Sequence, residues 1–229
     1  MVGRGNVDEL PSERKSYPDV KIFRKGVWHE ARHPLQDPDD PVFSMNADRI
    51  GGVSPGLSFA RSMRNATGLS VGLLLCAKGG AGIGAWEREG DLYRTMMDRF
   101  REASTVRRLE GALIYLGEGD TRSMEAAGAW IKSFHRLVGN LRADFSNQAL
   151  PIVFAQIASI SQERRTRREH GYAGWERLKQ LQAEINLPNV VMVKTDDLPL
   201  KSDGLHLSAS AAEILGQRFA AAFLGMEAL

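Results

Sequence analysis

The sequence predicts an α/β fold built on a mostly parallel sheet. Two observations carry this. Apolar runs of strand length recur with helix-like segments between them, and the best runs are apolar at successive positions, as strands covered on both faces are. Those runs are residues 71–77, 112–116, 152–157 and 190–194, with a weaker one at 20–23. Helices are expected over 55–65, 91–107, 124–144, 174–185 and 208–224. The last opens on Ser208 as a cap and sets Ala212, Leu215, Phe219 and Phe223 on one face. Residues 24–54 hold Pro34, Pro38, Pro41 and several Asp, so they read as one long loop of the kind that forms a lid or binding loop.

Composition bounds the function. The chain has 229 residues, 43% hydrophobic and 25% charged, which describes a single domain able to bury roughly 70% of its unfolded surface. Thirty Lys+Arg against 28 Asp+Glu give a net charge of +2, so no global field draws it to nucleic acid or an anionic membrane. No apolar run approaches the ~20 residues of a membrane span, and the first twenty residues carry no hydrophobic signal core. The chain is therefore expected to stay where it is made, cytoplasmic by default. Cys76 is the only cysteine, which excludes an internal disulfide and a Cys-based zinc cluster.

Several motifs carry possible chemistry. His29-Glu30-Ala31-Arg32-His33 matches the H-E-x-x-H pattern of zinc peptidases, which needs one helix to set two imidazoles a turn apart. Pro34 directly after His33 opposes that helix, no third ligand is identifiable, and a polar loop is the expected reading. Residues 163–169 form a basic cluster that could meet phosphates, but Glu163 and Glu169 interleave it and a solvated face is expected. Asp203-Gly204-Leu205-His206 lies between the last strand and the last helix. An Asp three residues before a His can fix the imidazole tautomer and leave the other nitrogen as a general base. Lys78-Gly79-Gly80-Ala81-Gly82 is a glycine-dense turn whose amides can form an oxyanion site. Gly117-Glu118-Gly119-Asp120 follows another strand. Glu118 and Asp120 there read equally as groups that orient a site or as caps of the next helix. Turns at the carboxyl ends of parallel strands are where α/β domains keep their sites.

This set of turns resembles the sialate O-acetylesterase-like carbohydrate esterases, especially the plant-type members of carbohydrate esterase family six within the SGNH hydrolase superfamily. Five ordered blocks carry the resemblance: Met1 to Gly5, Gly52 to Ala60, Lys78 to Trp86, Tyr115 to Asp120, and Asp203 to Leu207. The resemblance implies a three-layer αβα sandwich, SGNH or flavodoxin-like, and hydrolysis of acetyl esters on a small carbohydrate, with neither cofactor nor metal expected. It implies His206 as general base, Asp203 as its orienting carboxylate, Gly79 and Gly80 as oxyanion donors, and Glu118 and Trp86 in substrate binding.

The chain departs from the pattern at named positions. The family motif Gly-Gln-Ser-Asn supplies the nucleophile. With Met1 on the Met that follows it, that Ser falls two positions before residue 1; with Gly3-Arg4-Gly5-Asn6 on the motif, Gly5 stands in its place. The family's first strand is expected to be lacking. Leu116 stands where the family has Gln, Gly119 where it has Ser, and Ala81 where it has Thr. Two expectations follow side by side: a longer reading frame that restores strand and serine, or a diverged relative that no longer hydrolyses esters. Either gives weak or no turnover for this polypeptide. The rival readings are a catalytically silent sugar- or ester-binding protein using Trp86 and residues 24–54, and, lower, a zinc peptidase at His29 and His33.

Overall fold

The computed structural model describes residues 3–43, 51–104, 109–166 and 171–227. In order, the elements are β1 (Ser16–Arg24), β2 (Val27–Arg32), α1 (Pro55–Thr67), β3 (Val71–Leu73), α2 (Asp91–Ser104), β4 (Ala112–Tyr115), α3 (Met124–Asp144), β5 (Ile152–Ala155), α4 (Gln162–Thr166), α5 (Trp175–Ala183), β6 (Val190–Val193) and α6 (Ala209–Glu227). Short 3-10 turns cover Ile83–Trp86 and Glu118–Arg122, among others. The fold is α/β, and among the described residues three of the four strand pairings are parallel.

Within the described residues the strands are ordered β2-β1-β3 in one sheet and β4-β5-β6 in another. β3 pairs with β1 from Val71 to Leu73 and ends there, short of the expected residue 77. Residues 24–54 are not one loop either. Lys25 and Gly26 both take positive φ, 48° and 79°, the geometry of a two-residue hairpin, and they turn β1 into the antiparallel β2. The expected extension of α2 to residue 107 falls outside the described residues, as do Arg167, Arg168 and Glu169 of the basic cluster. Its described part is the one-turn α4, where Arg165 pairs with Glu176.

Two compact units emerge: Met1–Gly79 with Thr95–Arg108 and Leu198–Leu229, and Gly80–Arg94 with Leu109–Asp197. In the first, α1 starts with Pro55 at its first turn and stops at Gly68 in the left-handed conformation (φ 73°), as helix punctuation requires. It packs on α6 at close range, with Phe59 edge-on to Phe223. In the second, Ser123 caps α3 by accepting the Ala126 amide at 3.0 Å. Trp130 stacks on Phe134, which in turn meets Phe154 of β5, and all four β5 side chains are buried as the centre of a parallel sheet demands.

Candidate active site

The Asp203–His206 turn is built by its backbone before its side chains act. Leu200 bridges antiparallel to Leu207, the Lys201 amide donates to the His206 carbonyl at 2.7 Å, and Gly204 takes φ 65° where the chain reverses. The Asp203 carboxylate then closes the turn. Oδ1 accepts the Leu205 and His206 amides at 2.9 and 3.0 Å, and Oδ2 lies 2.7 Å from His206 Nδ1. Burial works to raise the Asp203 carboxyl, but the amides and the imidazole outweigh it and hold it at about 2. Burial lowers His206 further than Asp203 raises it, with Arg4 and Lys201 adding to the fall. At neutral pH the pair is therefore carboxylate and neutral imidazole. A carboxylate can only accept, so Nδ1 carries the proton and Nε2 keeps its lone pair.

The first unit brings two further blocks to this turn. Gly52 N donates to Gly3 O and Val53 N to Gly5 O, at 3.0 and 2.8 Å, and Lys201 Nζ donates to Arg4 O at 2.7 Å. The approach is close enough to require glycine: a Cβ on Gly5 would lie 2.5 Å from Ala209 Cα. Met1 and Val2 of the first block lie outside the described residues.

The second unit holds the glycine corner from Gly80 onward, whereas Lys78 and Gly79 belong to the first. Gly80 takes φ 74° with open space where a Cβ would stand. Asp120 grips the corner, both carboxylate oxygens accepting the Ile83 amide at 3.0 Å, and a Cβ on Gly82 would lie 2.6 Å from Asp120 Oδ1. Gly119 packs on the corner too, since its Cβ would be 3.0 Å from Gly80 O. Burial raises the Asp120 carboxyl to about 6 despite the Ile83 amide and its own, which both lower it. Asp120 is thus the clamp of the glycine turn and not the cap of α3, which is Ser123. Its sequence neighbourhood offers no sign of this, because the partner amide lies 37 residues away. Glu118 sits in the same 3-10 turn, Leu116 O accepts Gln182 Nε2 at 3.2 Å, and Trp86 is buried.

The zinc reading fails on geometry. His29 and Glu30 lie on the extended strand β2, paired with Ile22 and Lys21, so no helix sets His29 and His33 on one face. Burial pushes the His33 imidazole down to about 4. Among the described residues no group of three or more His, Cys, Asp or Glu could hold a metal ion, and no helix is long and apolar enough to cross a membrane.

Comparison with known proteins identifies the family. Residues 1–225 match the family described as carbohydrate esterase, sialic acid-specific acetylesterase. A probable carbohydrate esterase of Arabidopsis thaliana is 34% identical over 243 residues, covering 98% of this chain and 86% of the relative. The X-ray structure of an Arabidopsis thaliana protein superposes with a TM-score of 0.83 at 32% identity, over 98% of this chain and 93% of that one. A carbohydrate acetylesterase from Xanthomonas citri shares the fold, with a TM-score of 0.65 at 19% identity over 90% of this chain and 48% of its own. The chain belongs to the sialic acid-specific acetylesterase family of carbohydrate esterases.

Proposed function

We propose that this chain carries the base half of an acetylesterase site directed at acetylated carbohydrates, and that the polypeptide of 229 residues turns such esters over weakly or not at all. The observation that carries the reading is the 2.7 Å contact of His206 Nδ1 with an Asp203 carboxylate already fixed by two amides. That arrangement readies Nε2 to take a proton from an attacking oxygen and return it to the leaving alcohol. Gly79 and Gly80 are read as backbone donors to an oxyanion. Glu118 and Trp86 are assigned to substrate binding on the family pattern, Trp86 from a position already buried. The family match over residues 1–225 supports treating the chain as one catalytic domain.

Low turnover follows from the residues at the reacting positions. At the family's Gln the side chain is Leu116, which has no hydrogen to donate. Losing one oxyanion donor costs ~10²–10³ in rate. These same positions favour the second reading, a binding protein for sugar esters.

The test pairs a turnover assay with a titration. An aryl acetate and acetylated methyl pyranosides are expected to be hydrolysed no faster by the wild type than by His206→Ala. The acetylated pyranosides are expected to bind and to perturb the His206 ring resonances. Brisk hydrolysis that collapses on His206→Ala contradicts the low-turnover claim, and absence of binding contradicts the carbohydrate assignment.

A further inference from the structure

Lys201 links the base turn to a segment far away in sequence. Within the turn its amide donates to His206 O at 2.7 Å and its carbonyl accepts the Gly204 amide at 2.9 Å, so these two bonds frame Asp203 and His206. Outside the turn, Lys201 Nζ donates to Arg4 O at 2.7 Å, across 197 residues.

Residues 3–5 are held from two sides. Gly3 O and Gly5 O accept the Gly52 and Val53 amides, while Arg4 O, between them, faces Lys201. Gly3 and Gly5 are buried, and backbone carbonyls in such a place need partners. On the first side the partners are backbone amides. On the second the partner is an ammonium carried on a four-carbon stem.

A surface lysine ordinarily keeps its head in water or sets it against a carboxylate. Lys201 is half-buried, and among the described residues no carboxylate pairs with it. Its ammonium goes instead to a backbone carbonyl, in a bond strengthened by the full charge on the donor. The charge reaches the base as well. Lys201 and Arg4 both lower the His206 imidazole, against Asp203, which raises it, and these three are the charged groups that act on the ring.

We propose that Lys201 is a positioning residue of this site, a tether that sets the separation between residues 3–5 and the turn carrying Asp203 and His206. A misplacement of about 1 Å at a reacting group costs about 10²-fold in rate, so a separation of this kind needs a fixed strut. Its relevance to acyl transfer rests on the acetylesterase reading, in which the nucleophile motif maps onto Gly5 or just ahead of residue 1; the tether itself does not.

The test is a nuclear magnetic resonance comparison of the whole chain with Lys201→Met, which keeps an apolar stem and removes donor and charge, and Lys201→Arg, which keeps the charge. In Lys201→Met the Arg4 and Gly5 amide resonances are expected to shift, the Val53 amide to lose protection from hydrogen exchange, and the His206 ring to titrate at higher pH. Lys201→Arg should return the ring titration to its wild-type position, which a residue that only packs would not do. The proposal is overturned if Lys201→Met leaves Arg4, Gly5 and Val53 as in wild type, if its changes stay within residues 199–207, or if the His206 midpoint does not rise. Should Lys201→Met fail to fold, the wild-type ammonium decides. Nζ protons protected from exchange relative to those of the exposed Lys132 support the tether, and Nζ protons that exchange as fast as those of Lys132 overturn it. If the tether results hold while acetylated pyranosides leave His206 unmoved, the carbohydrate assignment falls and the tether stands; if they fail while the pyranosides bind, the tether alone falls.

Discussion

Gly216→Ala is expected to destabilise the protein by about 2 kcal/mol or more, read as a fall in the urea midpoint at unchanged slope. A Cβ at Gly216 would land on Ser58 Oγ and Pro55 O and 2.7 Å from Phe59 N. Two of those atoms are backbone of α1, and the third is fixed because Ser58 Oγ donates to Glu213 O. Relief therefore requires the two helices to separate, which loosens Phe59 against Phe223. Propensity acts the other way, since Ala is favoured over Gly in a helix by up to about 1 kcal/mol. Gly139→Ala isolates that effect: it lies in α3 with nothing within 4 Å of its Cβ position, so it should stabilise by about 0.5–1 kcal/mol. A Gly216→Ala protein as stable as wild type would contradict the close packing of α1 on α6.

Asp120→Ala is expected to cost about 1–3 kcal/mol, because it leaves the Ile83 amide buried without its acceptor. Its distinguishing mark is the pH dependence. The folded carboxyl titrates at about 6 against an unfolded value of 3.8, so between those values the native state binds the proton more tightly. This group's contribution is greatest at low pH and declines as pH rises through that window. Asp203 has the opposite sign. Held at about 2 against 3.8, it contributes fully above its unfolded value and loses that contribution as pH falls toward 2. Urea midpoints measured against pH should show wild type losing stability between 3.8 and 6 relative to Asp120→Ala. Parallel profiles for the two proteins would show that the buried carboxyl does not titrate there, and the clamp on the glycine turn would need another explanation.

Much of the fold was legible because its signals are local. β5 and β6 are runs of apolar residues, α3 is bounded as its periodicity indicates, and Ser208 accepts the Ala211 amide at 3.2 Å as a cap should. The Asp203–His206 pair was legible for the same reason, since both partners sit within one turn. Three things were not. The β1–β2 hairpin turns on Lys25-Gly26, a pair without the Asn-Gly or Asp-Gly signature of its class, inside a segment whose prolines read as loop. The end of β3 at Leu73 depends on where its pairing with β1 stops, and an apolar run does not record that. The grip of Asp120 on Ile83 joins residues far apart in sequence, and only folding brings them together.

The most direct measurement is the tautomer of His206, read from its ring nitrogen shifts at neutral pH. The predicted result is a neutral ring with the proton on Nδ1 and an open Nε2, with that preference lost in Asp203→Asn. A proton on Nε2 in the wild type, or a tautomer indifferent to Asp203, would contradict the assignment of this pair as an oriented general base.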